Sequence, residues 1–245
     1  MRIIWLSLLF LLSLNACDKS TPLPEAAQVS LVFENVVNGQ PLTYSAKQYT
    51  NAAGDSYSVE LLKYYVTNVV LLRADGAEFK LGNYDLIDAA KPATCEITAG
   101  QVPNGHYTGM RFLLGVDSLR NHTGLQDGDL DPVYGMLWNW NTGYIFFKHE
   151  GRFTNAQGED QGLIFHFGSD IALTPVEISF PEGLHVEGVA RKAFIRFDLA
   201  PLYATPHVID FNLDNYRQSI TADDRIWLAN MKENMPGAFS FSRVE

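Results

Sequence analysis

The sequence is poor in cysteine, with only Cys17 and Cys95 in a chain of 245 residues. Cys17 ends an apolar N-terminal segment in a context typical of lipidation, so Cys95 would be the only thiol left in the mature chain. With a single thiol, no intramolecular disulfide can form. The folded chain must therefore be stabilised by a hydrophobic core.

Positive charge is also scarce, because 18 Lys and Arg residues stand against 28 Asp and Glu residues, for a net charge of -10. Charges of both signs are scattered through the chain. Binding to nucleic acid or to anionic lipid would require a concentration of basic residues. The composition therefore argues against both of these partners and indicates a well-solvated surface.

Sequence motifs of several enzyme classes are missing as well. The chain contains no Gly-x-Ser-x-Gly elbow, no phosphate-binding loop, no His-Glu-x-x-His and no Cys-x-x-Cys. The usual hydrolase, kinase, zincin and redox templates are therefore absent. No nucleophile with a paired general base is recognisable either, which argues against an enzyme.

The N-terminal residues have the pattern of a targeting segment. Residues 1–16 combine a short charged start with an apolar stretch too short to span a bilayer, as in a signal peptide. The ending Leu14-Asn15-Ala16-Cys17 resembles a bacterial lipobox, which predicts cleavage before Cys17 and acylation of that residue. Residues 17–28 would form a flexible tether, and several acyl chains would anchor it at about 0.8 kcal/mol per buried methylene.

Residues 29–245 have the size and the pattern of one all-β domain. Short apolar segments alternate with polar residues and are separated by Gly, Pro, Asn and Asp, without any strand–helix–strand repeat. Examples are the predicted strands over residues 107–116 and 208–213 and the predicted two-residue turn Asn38-Gly39. The pattern is that of a sandwich or a barrel, and we adopt a β-sandwich of many short antiparallel strands with long loops.

One short helix is predicted near the C terminus. Thr221 has the character of an N-cap, and acidic residues follow it in the first turn. Pro236-Gly237 should end the helix.

Residues with potential chemistry are concentrated between positions 105 and 168. This stretch contains four of the six histidines and two of the three tryptophans that remain after signal removal. Trp138 and Trp140 are separated by one residue, so an extended backbone would direct both to the same side. Such a pair packs in a core more often than not, although the neighbouring Asn139, Asn141 and Gly143 are poor core residues.

His122 and His166 are candidate metal ligands. His166 alternates with Phe165 and Phe167 in an apolar strand, whereas His122 lies in a loop, where functional residues concentrate. Neutral imidazole binds Cu, Zn or Fe. Taken alone, two histidines far apart in sequence are a weak metal signal, and a lone histidine in a strand more often has a structural role.

An acidic loop offers a different kind of site. Asp127, Asp129 and Asp131 place three carboxylates at alternating positions, and Ca²⁺ prefers such oxygen ligands. The loop lacks the 12-residue EF-hand pattern, and a turn capped by aspartates is the more common explanation of such a sequence.

Several motifs occur in a characteristic order in this part of the chain. They are Gly105-His106-Tyr107-Thr108-Gly109-Met110-Arg111-Phe112, Leu114-Gly115-Val116-Asp117, Asn121-His122, Met136-Leu137-Trp138-Asn139-Trp140-Asn141-Thr142-Gly143-Tyr144 and His166-Phe167-Gly168-Ser169. This set resembles the MbnP-like family of periplasmic copper-binding proteins, which are found with methanobactin operons and as metallo-mystery pair proteins. The chain departs from many members in lacking paired cysteines and in having Leu137 where an aromatic residue usually precedes the first tryptophan.

The resemblance implies a β-rich copper-binding protein that is paired with a MauG-like di-haem cytochrome c peroxidase. It assigns His122 and His166 as copper ligands and Trp138 or Trp140 as a residue that the partner oxidises to kynurenine. Kynurenine has an amine and a ketone where indole has only a donor, and two imidazoles with few further ligands suit Cu(I).

We therefore expect a copper-binding protein without catalytic turnover, attached by lipid on Cys17 to the cell envelope of a Gram-negative bacterium, on the periplasmic or outer-membrane face. One alternative is an envelope β-sandwich that binds a glycan or a protein through exposed aromatic residues. Another is a calcium-stabilised scaffold that uses Asp127, Asp129 and Asp131.

Overall fold

The computed structural model describes residues 25–44, 48–139 and 142–245. The predicted signal peptide, Cys17 and Trp140 lie outside the described residues. The first strand begins at Ala26, so the end of the predicted tether, residues 26–28, is part of the folded domain. No helix in the described ranges is long and apolar enough to cross a membrane.

Strands make up most of the described structure. In chain order they are β1 (Ala26–Val37), β2 (Gln40–Pro41), β3 (Tyr49–Thr50), β4 (Ser56–Arg73), β5 (Glu78–Lys80), β6 (Tyr84–Asp88), β7 (Glu96–Pro103), β8 (Gly105–Leu114), β9 (Leu137–Asn139), β10 (Gly143–Thr154), β11 (Asp160–Gly168), β12 (Thr174–Val186), β13 (Arg191–Asp198), β14 (Tyr216–Arg217) and β15 (Phe239–Val244). The α-helices are α1 (Ser118–Asn121), α2 (Leu199–Leu202), α3 (Phe211–Asp214) and α4 (Arg225–Asn234). The predicted all-β class, with one substantial helix near the C terminus, is confirmed.

The strands form two sheets that pack face to face. The smaller has the order β15-β13-β1-β2, with β7 also paired to β1, and the larger has the order β12-β8-β4-β10-β11-β14. β3, β5 and β6 pair with the long β4, and β9 pairs with β10. Aromatic rings from the two sheets contact each other. The ring centroids of Phe33 in β1 and Phe112 in β8 are 6.0 Å apart, and those of Phe197 in β13 and Tyr64 in β4 are 4.7 Å apart. The core therefore lies between the sheets, as in a β-sandwich.

Most of the strand pairs are antiparallel, but β1 and β13 are parallel, with Val29 opposite Arg191. A second, short parallel pair joins β11 and β14. Alternation of apolar residues indicates which face of a strand is buried, but it carries no information about the direction of its neighbour. The parallel pairs were therefore not predicted.

The predicted turn at Asn38-Gly39 is confirmed. Both residues have positive φ angles, 51° and 71°, as a two-residue hairpin turn of type I′ requires. The carboxylate of Asp198 accepts hydrogen bonds from both of their backbone N–H groups, at 2.9 and 2.8 Å. The turn is thereby held against the end of β13.

The strand predicted over residues 208–213 is wrong. Ile209 and Phe211 are buried, as the alternation suggested, but the backbone turns into α3 at Phe211. The carboxylate of Asp210 accepts a hydrogen bond from the N–H of Asn212 at 2.8 Å, which caps this helical turn. A local side-chain cap has therefore overridden a short strand-like pattern.

The helix predicted after Thr221 is confirmed, although α4 itself begins at Arg225 after a 3₁₀ turn over Ala222–Asp224. The carboxylate of Asp224 accepts hydrogen bonds from the Thr221 hydroxyl at 2.7 Å and the Thr221 N–H at 3.1 Å. The second of these is the backward contact of a capping box. A 3₁₀ turn over Met235–Ala238 follows α4, so the helix ends next to Pro236 as predicted.

Candidate functional site

The side chain of Asn121 links three segments at one end of the larger sheet. Asn121 ends α1, which follows β8, and its side chain is buried. Its amide donates to a carboxylate oxygen of Asp170, just beyond β11, at 2.7 Å, and its Oδ1 accepts from the N–H of Tyr144 in β10 at 2.7 Å. One carboxamide therefore fixes the ends of β8 and β11 against the start of β10.

Replacing Asn121 by alanine should lower the free energy of unfolding by about 1–3 kcal/mol, because the buried N–H of Tyr144 would lose its acceptor. Urea unfolding monitored by circular dichroism would measure the change. Ser118→Ala is a suitable control, since the Ser118 hydroxyl donates to the same Asp170 carboxylate at 2.7 Å but lies at the surface. That substitution should cost no more than about 0.5 kcal/mol. Equal losses in the two variants would contradict the central role of Asn121.

Asp170 is contacted by several polar side chains at this end of the sheet. Its carboxylate accepts hydrogen bonds from Ser118 and Asn121 and lies 3.1 Å from Nε2 of His122. Burial by itself would raise the pKa of Asp170, but the hydrogen bonds from Ser118 and Asn121 and the neighbouring His122 outweigh it and hold the pKa below its usual value. Asp170 is therefore ionised at neutral pH and can orient the His122 ring.

His122 lies at the edge of an open cleft of about 580 Å³. The cleft is lined by His122, Thr142, Ser169, Asp170, Ile171, Ser219 and Ile220. The hydroxyls of Ser169 and Ser219 are buried and have no hydrogen-bond partner, and both residues have positive φ angles, 71° and 59°. Unsatisfied polar atoms and backbone strain of this kind cluster at ligand-binding sites.

His166 lies on the outer face of β11, opposite the face that carries Phe165 and Phe167. Those two phenylalanines are buried against Trp227, as the predicted alternation requires. The His166 side chain is 13% exposed, and its Nε2 lies 2.8 Å from a carboxylate oxygen of Glu150. Burial lowers the pKa of His166 below its usual value, although the hydrogen bond to Glu150 opposes the shift. The ring is therefore neutral at physiological pH, which is the form that binds metals.

Trp138 packs against the strand that carries His166. Its indole ring covers Gly168, where an added Cβ would lie 2.8 Å from a ring carbon. Gly168 follows His166 by two residues and is on the same face of β11. The indole is partly buried against the core, and its Nε1 is buried without a hydrogen-bond partner. At the end of β11, the Trp138 ring therefore packs on the face that carries His166, and Asp170 contacts His122 just beyond the strand.

The two histidines share one feature with metal ligands. Each has Nε2 against a carboxylate, Asp170 for His122 and Glu150 for His166, which is the carboxylate–histidine arrangement in which Nδ1 is the atom that would bind a metal. Within the described ranges, no three His, Cys, Asp or Glu side chains are grouped so as to hold a metal ion. Copper here would therefore need a ligand of another kind beside the two imidazoles.

The acidic loop uses its carboxylates for backbone contacts. Asp129 accepts a hydrogen bond from the N–H of Leu86 at 2.8 Å, and Asp131 accepts one from the N–H of Val133 at 2.8 Å. Asp127 precedes a 3₁₀ turn without a side-chain cap. The structure does not bring the three carboxylates together as a cation site in the part of the chain that it describes.

The sequence analysis named His122, His166 and Trp138 as candidates but did not name the acidic residues that contact the two histidines. Asp170 directly follows the His-x-Gly-Ser motif, and this position is the sequence feature that could have suggested it as a site residue. Glu150 reaches His166 from the neighbouring strand, in a register that the sequence does not reveal.

Comparisons with known proteins bear on the family and the fold of the chain. The family model described as MbnP matches residues 26–225, which include all the described residues of the site. Among solved structures, MbnP from Methylosinus trichosporium has a TM-score of 0.54 at 18% sequence identity, covering 76% of this chain and 80% of that one. At this identity the structural likeness shows a shared fold. No curated protein matches the chain.

Proposed function

Because this chain belongs to the MbnP family, we propose that it is a lipid-anchored copper-binding protein of the cell envelope. His122 and His166 hold the copper beside a tryptophan that a MauG-like di-haem peroxidase oxidises to kynurenine. The observation that carries this proposal is the meeting of three separate motifs at the end of β11, where Trp138 covers Gly168 and His122 contacts Asp170. The protein itself has no catalytic turnover in this proposal.

The neighbouring carboxylates support the proposed role of the histidines. In this proposal Asp170 and Glu150 accept the Nε2 protons and so fix the tautomer in which Nδ1 carries the lone pair that binds copper. Copper, when bound, supplies a soft Lewis acid for these lone pairs. Loss of such an outer carboxylate typically weakens metal affinity by roughly 10- to 100-fold.

Trp138 is the candidate for the oxidised residue that lies within the described part of the chain. Its Nε1 is buried without a partner, so the indole gains nothing from its polar atom in this position. Kynurenine would place an amine and a ketone in the same region, and both can coordinate or hydrogen-bond. Trp140, two residues further on, is the alternative.

The test is peptide mass spectrometry combined with copper analysis on protein purified from its native envelope. We expect a gain of about 4 Da, the difference between tryptophan and kynurenine, in the peptide that contains Trp138 and Trp140. We also expect His122→Ala/His166→Ala to lose bound Cu(I) in a titration against a copper chelator. His207→Ala is the matched control, since His207 is a half-exposed histidine whose Nε2 likewise contacts a carboxylate, that of Glu233. An unmodified peptide together with unchanged Cu(I) binding by the double variant would refute the proposal.

The alternative of an aromatic binding surface lacks a supporting observation. In the described part of the chain the exposed aromatic side chains are Tyr134, in a 3₁₀ turn, and Tyr216, in β14. Trp227 is buried in the core, and Trp138 is partly buried against it. Two separated tyrosines form no continuous stacking surface for a sugar, so we do not adopt this function.

A further inference from the structure

A second pair of histidines lies at the other end of the larger sheet. His106, near the start of β8, is directly opposite His185, near the end of β12. Their rings are stacked, with centroids 4.3 Å apart and planes inclined by 8°. Both side chains are exposed to solvent. Neither residue takes part in the proposed copper site.

The backbone geometry brings these two side chains unusually close. The backbone carbonyl of His106 accepts a hydrogen bond from the N–H of Ala74, just beyond β4. In an antiparallel sheet the N–H and the C=O of one residue point to the same neighbouring strand, so both backbone groups of His106 point towards β4 and away from β12. His106 and His185 therefore form a non-hydrogen-bonded pair, the type of antiparallel pair in which Cα atoms are only about 4.5 Å apart. The carbonyl of His185 likewise points away from β8 and accepts from Nε of Arg191 at 3.3 Å. The closeness of the rings thus follows from the strand register.

The spacing of the rings suits two adjacent positions of one metal ion. Zinc–imidazole bonds of about 2.0–2.1 Å place two tetrahedral nitrogen ligands about 3.4 Å apart. A metal ion lies in the plane of each imidazole that binds it, so the two rings must leave their stacked arrangement and turn about their side-chain bonds until their planes meet at the ion. Gly183 leaves space for the His106 ring beside His185, because a Cβ at that position would overlap Nε2 of His106.

We propose that His106 and His185 form a second metal site, which binds one divalent ion of borderline softness such as Cu²⁺, Ni²⁺ or Zn²⁺. Two imidazoles supply adjacent ligands, and water completes the coordination at this exposed position. Affinities should follow the usual order for nitrogen ligands, with Cu²⁺ bound more tightly than Ni²⁺ or Zn²⁺.

This pair is independent of His122 and His166. His106 is the second residue of β8, which ends at Leu114, just before the α1 segment that leads to His122. Eight residues of antiparallel strand span about 27 Å, so the two pairs of histidines lie at opposite ends of the sheet. β12 gives the same separation, because it begins just after Asp170 and ends next to His185. A loss at one pair should therefore leave the other unchanged.

The experiment is a Zn²⁺ titration by isothermal calorimetry on the full mature chain and on two variants. His185→Phe keeps an aromatic ring for stacking and removes one ligand. It should bind Zn²⁺ at least about tenfold more weakly, because even the loss of a residue that only hydrogen-bonds to a metal ligand typically weakens affinity about tenfold. His122→Ala/His166→Ala should keep the Zn²⁺ affinity of the pair. An unchanged melting temperature of His185→Phe would confirm that it folds.

Two results would overturn the inference. One is a His185→Phe variant that binds Zn²⁺ as tightly as the original chain, and the other is Zn²⁺ binding that disappears in His122→Ala/His166→Ala. As a second readout, Cu²⁺ bound to His122→Ala/His166→Ala should show hyperfine coupling to two imidazole nitrogens in its paramagnetic resonance spectrum, and coupling to only one would also contradict the proposal. Failure of the Cu(I) site would leave these results unaffected.

Discussion

Gly143→Ala should lower the free energy of unfolding by about 3 kcal/mol and abolish high-affinity copper binding. Gly143 has a φ angle of 80°, which costs an L-residue about 1–2 kcal/mol. An alanine Cβ would also overlap the side-chain oxygen of Asn121, and such overpacking adds about 1–3 kcal/mol. The displaced Asn121 could no longer hold Asp170, so the His122 loop would lose its orientation. Urea unfolding and a Cu(I) titration of the same sample would measure both effects.

Gly135→Ala is the matched control for this substitution. Gly135 also has a positive φ angle, 69°, but no atom lies within 4 Å of the Cβ position. Alanine at this site should cost only the conformational part, about 1–2 kcal/mol, and leave copper binding intact. If both glycine variants lost the same stability and bound the same amount of copper, the close packing of Gly143 against Asn121 would matter neither for stability nor for copper binding.

Stability should fall by about 3 kcal/mol as the pH is lowered from 6.5 to 4, owing to His149 alone. His149 is fully buried among Tyr57, Phe165 and Tyr203, and burial lowers its pKa from 6.5 to about 4. Between these values the unfolded chain binds a proton that the folded chain does not, so stability decreases with decreasing pH. Above pH 6.5 both states are neutral, and below 4 both are charged. Since one pKa unit corresponds to about 1.4 kcal/mol, the change in the His149 pKa from 6.5 to about 4 gives the expected loss of about 3 kcal/mol in the free energy of unfolding.

A double variant isolates this contribution from that of the carboxylates. His149 Nδ1 and the Tyr203 hydroxyl are hydrogen-bonded at 2.6 Å, so His149→Phe alone would strand a buried hydroxyl. His149→Phe/Tyr203→Phe removes both partners, which is nearly neutral at pH 7. Urea unfolding of both proteins at intervals from pH 7.5 to 4 should give the original chain the steeper loss. Parallel curves would show that His149 is not the titrating group.

The larger part of the fold could be predicted from local pattern. The alternation around Met110, Phe112 and Leu114 correctly identified a half-buried strand, and all three side chains are buried. The same pattern could not show that residues 56–73 form one continuous strand, because apolar and polar residues do not alternate regularly along it. Strand direction and sheet order depend on contacts between distant segments, and these leave no local trace.

The candidate site divides in the same way. His122, His166 and Trp138 were identified through ordered motifs and not through spacing, since no local rule relates residues 44 positions apart. The polar groups beside them lie on other segments, since Glu150 belongs to the neighbouring strand β10 and Asp170 to the turn after β11. The motifs therefore named candidate residues, whereas their hydrogen-bond partners depend on strand register and on the path of a turn, which leave no local signal.

The parallel pairing of β1 with β13 has a consequence for how the chain folds. The first strand meets a partner about 160 residues later, since Val29 lies opposite Arg191. β1 can pair with β2 and β7 early, but its other edge stays open until residues 191–198 have reached it. Contacts of such long sequence separation slow folding, and an unpaired edge invites association with other chains. We therefore expect the unfolded protein to depend on chaperones that shield this edge until β13 pairs with it.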